Sequence, residues 1–418
     1  MNRRRWNGIA FITVLLTLLS GGALSASADS IRDREYWLSQ YGFTDVWGTT
    51  TGAGVTIAVI DSGIDASVPE LRGVVTGGTD MSGLGSPDGL TPVGDEPEHG
   101  TMVASVLAGR GTGSGSGVIG VAPGASVLSV SVAFGQESGT KSNDDQIAEG
   151  LRWAVDHGAS IINMSLTRNT PDWPPSWDEA FQYAFDHDVV IVAAAGNRGS
   201  GTEVVGAPAT IPGVLTVAGV DRSQNASSSA SSQGITISVS APSEQMVGVV
   251  PGGGYVLWSG TSAAAPVVSG LLALVRSAHP ELDANNAMQR VIATATPKSD
   301  QVPSPIYGFG LINPTQAVFG DVPSVSENPM GSLAEWVRVH RRATSTETPE
   351  PTNTPKIDPD PLQLPLTTAL WPTAQSLAFV TLPLSLLSGF GTLAVLLGIV
   401  ATRRLQRKAG DSKSNAER

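Results

Sequence analysis

The chain has 418 residues and a formal net charge of −12, which argues against a polyanionic partner such as nucleic acid. It contains no cysteine, so disulfides, thiolate metal sites and cysteine nucleophiles are excluded together. With 41% hydrophobic and only 15% charged residues, the length allows a large buried core with appended segments.

Arg3-Arg4-Arg5 is followed by an apolar run from Gly8 to Leu19 and by Ala26-Ser27-Ala28. That order, positive then apolar then small, is the layout of a secretory signal peptide over 1–28, with an uncleaved N-terminal anchor as the other reading. Residues 29–53 form an extension whose Tyr36, Trp37, Leu38, Phe43, Val46 and Trp47 recur at near-helical spacing, so it is expected to pack on the body. The body, 54–320, opens with Val55-Thr56-Ile57-Ala58-Val59-Ile60, a β-branched run typical of a buried parallel strand, and ends that strand on Asp61. Gly73 to Glu98 is Gly-, Asp- and Pro-rich and reads as a loop. His99-Gly100-Thr101 opens a helix to Ala108. Further strands are expected at 127–132, 160–166, 189–194 and 214–220, with shorter ones at 235–240 and 255–258. Helices are expected at 144–156, 178–185, 267–279 and 284–295. Strands alternating with helices give an α/β fold, a mostly parallel sheet covered on both faces. Ligands gather at the carboxyl ends of such strands.

Beyond the body, 321–375 is a Pro/Thr-rich stalk, with one short helix at 332–342 expected to dock on the body or on the membrane. Residues 376–402 carry no charge and are long enough to form one C-terminal transmembrane helix. Arg403, Arg404, Arg407 and Lys408 begin a basic tail, 403–418, which the positive-inside rule places in the cytoplasm. The expected location is the plasma membrane, single-pass, with the body outside and the lipid bilayer as a partner.

The stretch Gly260-Thr261-Ser262-Ala263 places a serine at a helix N-terminus, where unpaired backbone N–H groups favour an anion. Taken alone it is equally an ordinary turn and cap. A serine nucleophile needs an imidazole base and a carboxylate to hold it. Of five histidines, His157, His187 and His279 lie near helix ends, where a cation is favoured, and His340 lies near the stalk. His99 has no such capping reason to be His. Gly115-x-Gly117-x-x-Gly120 has dinucleotide-like spacing but follows a helix and opens none, so no cofactor is read from it.

Asp61-Ser62-Gly63, His99-Gly100-Thr101 and Gly260-Thr261-Ser262 occur in the order Asp, His, Ser. With Gly120-Val121-Ala122-Pro123, Ile161-Ile162-Asn163-Met164-Ser165-Leu166 and Ala194-Ala195-Gly196-Asn197, they resemble the subtilisin-like serine proteases from Gly54 to about Ile312. The resemblance implies that Ser262 is the nucleophile, His99 the general base and acid, and Asp61 the orienting acid. It implies Asn197 as the side-chain oxyanion donor. Ser165, Leu166 and Thr167 become the edge that pairs with an extended polypeptide substrate, and Ala194, Ala195 and Gly196 the facing wall of the specificity pocket. The chain departs from the family where Thr167-Arg168 replace the usual Gly, a change expected to narrow or polarise the pocket. The chemistry requires no cofactor. The calcium loop of many subtilisins corresponds to 109–117, which is poor in oxygen-bearing side chains; Glu70 offers one carboxylate, and a structural calcium is left open.

Only about 30 residues separate the expected cleavage after Ala28 from Asp61, too few for an independently folded prodomain. The layout is similar to that of the mycosins, membrane-anchored subtilases of type VII secretion systems. That resemblance implies a protease processing secreted substrates at the outer face of the membrane, associated with the secretion membrane complex. Two other roles stay open: a mainly structural subunit of such a complex, and a general degradative surface protease.

Overall fold

The structure is a computed structural model that describes residues 29–135 and 139–341, with isolated positions 390 and 397. The expected signal peptide, most of the stalk, the membrane span (apart from those two positions) and the basic tail lie outside the described residues. Seven parallel strands form one sheet in the order β2-β3-β1-β4-β5-β6-β7. They are β1 (Thr56–Asp61), β2 (Val75–Asp80), β3 (Ser126–Ser131), β4 (Ile161–Met164), β5 (Val190–Ala194), β6 (Leu215–Val220) and β7 (Ile237–Pro242). Along β1, Ile57 and Val59 enter one apolar core while Ala58 and Ile60 enter the other. Both faces are covered, which is why these strands read as unbroken apolar runs rather than alternating ones.

The segments before and within the body contribute ten helices among the described residues: α1 (Asp29–Arg32), α2 (Tyr36–Gln40), α3 (Phe43–Val46), α4 (His99–Ala108), α5 (Asn143–Asp156), α6 (Pro175–Asp186), α7 (Thr261–Ala278), α8 (Ala284–Ala293), α9 (Pro314–Phe319) and α10 (Leu333–His340). The N-terminal extension, α4, α7 and α8 share the first core; α5, α6 and α10 share the second. Helix α7 is long and apolar enough to cross a membrane, but 78% of that stretch is buried, so it is the central core helix of the body.

Three elements differ from expectation. The stretch 73–98, expected as loop, contains the edge strand β2. Its Gly77-Gly78 pair disguised it, yet Gly78 is required there: a Cβ would lie 2.2 Å from the Asp88 carbonyl oxygen and 2.6 Å from that of Ser129. Met246–Val249 forms β8, unforeseen, and pairs antiparallel with β9 (Tyr255–Trp258). The serine helix starts at Thr261, six residues before the expected apolar stretch, so Ser262 lies inside its first turn. The folded body also continues past residue 320. Leu333 of α10 is 2% exposed and Trp336 packs on Trp173 with ring centroids 4.3 Å apart, so this helix docks on the body.

The extension packs as expected: Trp37, Phe43 and Val46 are fully buried, and Trp47 Nε1 donates to the Val121 carbonyl at 2.8 Å. Beside α1, Glu35 is buried, accepts from the Ile119 N–H at 2.9 Å and lies 3.5 Å from the Arg32 guanidinium. Burial dominates, and despite Arg32 and that N–H its carboxyl is pushed up to about 8. An acid whose pKa is raised by folding takes up a proton as the chain folds. Its contribution is therefore most favourable below about pH 4.5 and is lost as pH rises through about 8, by at most about 5 kcal/mol. Glu35→Gln is expected to be more stable than wild type at pH 8 and to show a smaller loss of stability between pH 5 and pH 8. Urea unfolding of both proteins at the two pH values measures this; parallel curves would remove Glu35 as the cause.

Candidate active site

Asp61 ends β1, Ser165 follows the end of β4, and Asn197 lies three residues past the end of β5. These three strands are neighbours in the sheet, so their carboxyl ends converge on one place. Helices α4 and α7 deliver His99 and Ser262 to it from the first core.

Asp61 is 1% exposed, and its carboxylate holds His99 Nδ1 at 2.8 Å and 3.0 Å from its two oxygens. It also accepts from the Ser62 N–H at 2.8 Å. Ser62 Oγ accepts from the Gly100 N–H at 3.0 Å, which ties the turn after β1 to the first turn of α4. The Trp258 ring stands edge-on to His99, centroids 5.7 Å apart. The aspartate thus fixes both the tautomer and the plane of the imidazole, leaving Nε2 to face outward.

Asn197 is held by its carbonyl. Oδ1 accepts from the Thr261 N–H at 2.8 Å and from Thr261 Oγ at 2.9 Å, and Thr261 Oγ in turn accepts from the Gly196 N–H at 3.0 Å. Two donors on one oxygen decide the orientation of the amide, so Nδ2 faces Gly260 and the cavity. Gly260 has φ 149°, and a Cβ on it would lie 3.0 Å from Nδ2. Thr261 was not singled out in the sequence. Its position beside the serine, in a small-residue turn, was the available signal.

Ser262 Oγ donates to the Ser165 carbonyl at 3.0 Å. His99, Ser262, Asn197, Ser165, Leu166 and Thr167 all line one cavity of about 370 Å³. Ala194, Ala195 and Gly196, expected as the facing wall, are buried at and just past the end of β5 and are not among the residues that line this cavity. Thr202, which donates to Asn169 Oδ1 at 2.6 Å, also lines the cavity and was not anticipated. Arg168 does not line it: its guanidinium pairs with Asp144 and sits 5.6 Å over the Trp177 ring. Polarity from the Thr167-Arg168 departure therefore comes from Thr167 alone. A second, more apolar cavity of about 730 Å³ lies beyond His99, lined by Met102, Val256 and Trp258 among others. The loop 109–117 was expected to offer few oxygen-bearing side chains. Arg32 Nη2 donates there to the Ser116 carbonyl at 3.3 Å, and among the described residues no group of three or more His, Asp or Glu is placed to hold a metal.

Residues 52–310 match the family model for the subtilase family of peptidases. Subtilisin E of Bacillus subtilis (strain 168) is 38% identical over 265 residues, which cover 63% of this chain and 65% of that protein's length. MycP1 from Mycobacterium smegmatis is similar in structure, with a TM-score of 0.62 at 26% identity, over 74% of this chain and 89% of that one. The MycP3 protease from the type VII (ESX-3) secretion system has a TM-score of 0.59 at 30% identity, over 72% and 90%. Both neighbours are mycosins.

Burial pulls the His99 pKa down, but the charge and hydrogen bond of Asp61 outweigh it, with smaller help from Glu96 and Glu98, and the net position is above that of an ordinary histidine. Asp95 lies in the same stretch and lines the same cavity. Glu96 and Glu98 are exposed, so their contribution is screened by salt, whereas that of the buried Asp61 is not. A ring-proton titration by NMR is expected to place His99 above 6.5. The double change Glu96→Gln and Glu98→Gln should lower the midpoint at low ionic strength and have little effect at high salt. A midpoint below 6.5 in the wild type would contradict this balance.

Proposed function

Because this chain belongs to the subtilase family of serine endopeptidases, we propose that it hydrolyses peptide bonds through an acyl-enzyme formed on Ser262. The observation that carries the reading is the His99–Asp61 pair opening on the same cavity as Ser262 and Asn197. The Ser262 hydroxyl swings from the Ser165 carbonyl toward His99 Nε2, which takes its proton as the oxygen attacks the scissile carbonyl. The carbonyl oxygen becomes an oxyanion and is met by Asn197 Nδ2 and by the Ser262 N–H, one of the N-terminal amides a helix leaves without an intrahelical partner. Asp61 stays ionised and stabilises the imidazolium. His99 then protonates the leaving amine, and a water reverses the sequence to free the acid. Removing one oxyanion donor costs about 10²–10³-fold in kcat in a subtilisin, and Asn197→Leu should fall in that range.

The acyl side of the substrate runs along Ser165, Leu166 and Thr167 as an added strand. The leaving side passes Trp258 into the more apolar cavity beyond His99. The likeness to mycosins and the apolar stretch 376–402 support a finer reading, in which the enzyme is tethered at the outer face of the plasma membrane and processes type VII secretion substrates beside the secretion complex. The same likeness admits a mainly structural role in that complex, and a general degradative protease is the third reading.

Ser262→Ala is expected to abolish labelling of the purified protein by a fluorophosphonate; equal labelling of the variant would sink the acyl-enzyme reading. For the tethered role, a deletion strain is compared with one carrying Ser262→Ala. Secretion lost on deletion but retained in the Ser262→Ala strain, with processing lost there, supports both an enzymatic and a structural role. Secretion lost in both strains would exclude the structural one. Broad cleavage of unfolded casein would favour a degradative protease instead.

A further inference from the structure

Pro266 lies inside α7, four residues after Ser262. An α-helix satisfies the carbonyl of residue i with the N–H of residue i+4, and proline has no N–H. The Ser262 carbonyl, on the same residue as the reacting hydroxyl, is therefore deprived of its helical donor. Its donor comes from another element. Ser165 Oγ, just past the end of β4, donates to the Ser262 carbonyl at 2.9 Å. Ser165 Oγ in turn accepts from Asn163 Nδ2 at 3.0 Å, and Asn163 Oδ1 accepts from Ser269 Oγ at 2.9 Å. Asn163 and Ser269 are fully buried, and Ser165 is 3% exposed. Ser269 lies seven residues after Ser262 on α7, so the chain of bonds leaves the helix, crosses to β4 and returns to the same helix face.

We infer that Asn163 and Ser269 are positioning residues for the nucleophile: through the Ser165 hydroxyl they supply the hydrogen bond that Pro266 withholds, and so fix the first turn of α7 against the substrate edge. Direction matters in this relay. The Asn163 amide can only donate through Nδ2, so the Ser165 hydroxyl keeps its own proton for the Ser262 carbonyl. Ser165 then holds Ser262 at two points. Its hydroxyl holds the helix that carries the nucleophile, and its carbonyl receives the resting Ser262 hydroxyl at 3.0 Å. In a dry site each such bond polarises the next, and an unmet carbonyl at the helix start would let that turn shift.

The inference rests on Ser262 being the nucleophile, and one experiment tests the two separately. The rate constant kinact and the half-saturation concentration KI for a fluorophosphonate are measured on the full-length protein in detergent. Asn163→Asp keeps the volume and the acceptor for Ser269, but it replaces the donor facing Ser165 with an acceptor. It and Ser165→Ala should each lower kinact about tenfold, the worth of one lost hydrogen bond, with KI nearly unchanged. The double variant should be no slower than either single one, because both break the same link. Pro266→Ala restores a backbone N–H to the Ser262 carbonyl and should recover most of the loss in either background, which a merely structural polar network would not do. Should Asn163→Asp fail to fold, Ser269→Ala removes only the far link and should give a smaller loss that Pro266→Ala also erases. Wild-type kinact in these variants, additive losses, or losses that persist with Pro266→Ala overturn the relay. Labelling that survives Ser262→Ala overturns the acyl-enzyme reading instead.

Discussion

The first turn of α7 has to be held from outside the helix, and the architecture of the site follows from how that is done. A helix start leaves four N–H groups without intrahelical partners, and Pro266 adds an unmet carbonyl. The sheet answers both needs. Asn197, past the end of β5, takes the Thr261 N–H, while Ser165, past the end of β4, meets the Ser262 carbonyl. Ala263, Ala264 and Ala265 are fully buried, since a turn wedged between two strand ends has room only for small side chains. The same crowding that fixes the turn brings the hydroxyl, the oxyanion donor and the substrate edge within one cavity.

The parallel sheet supplies the rest by adjacency. Strands β1, β4 and β5 lie side by side, so Asp61, Ser165 and Asn197 need no long loops to meet. Strands buried on both faces tolerate little sliding, because a one-residue slip would exchange the residues of the two cores. Helices α4 and α7 belong to one core and approach the sheet from one side, which lets His99 stand between Asp61 and the cavity. The precision of the site is thus that of a packed core rather than of a loop.

Sequence reasoning recovered what this packing writes into local pattern. The β-branched runs of β1, β4, β5 and β6 announce buried strands, and Asp61 and Asn197 stand out as polar residues where such runs stop, whereas His99 and Ser262 open helices and were picked out by their motifs. What stayed hidden depended on long-range contact. β2 carries Gly77-Gly78 because another backbone presses against it, a reason no local pattern records. β8 is four residues long and is defined by its partner β9. Thr261 and Asn163 look like an ordinary cap and an ordinary polar residue in a strand; their importance lies in the direction of hydrogen bonds made across the fold. Arg168 was misleading for the converse reason. Its neighbour Thr167 faces the cavity, while Asp144 and Trp177 draw its own long side chain away.

The two appendages are anchored by different physics. The N-terminal extension enters the first core with Trp37 and Phe43 fully buried, so apolar burial holds it and a single charge change at Glu35 only modulates it. At the other end α10 reaches the second core through Leu333 and then relies on one cation. The Arg341 guanidinium pairs with Asp178 at 2.5 Å, donates to the Trp173 carbonyl at 2.8 Å, and lies 5.6 Å and 5.4 Å from the Trp173 and Trp336 rings. Asp178 is also the acceptor for Trp173 Nε1 at 2.7 Å, so one carboxylate organises the whole clasp. A lysine could supply the charge there but not the planar fork that meets a carboxylate, a carbonyl and two rings together. The clasp closes on α6, and Trp177 of that same helix carries Arg168, the residue that directly follows the substrate edge. The end of the described body and the wall of the cleft therefore share a single helix as their support.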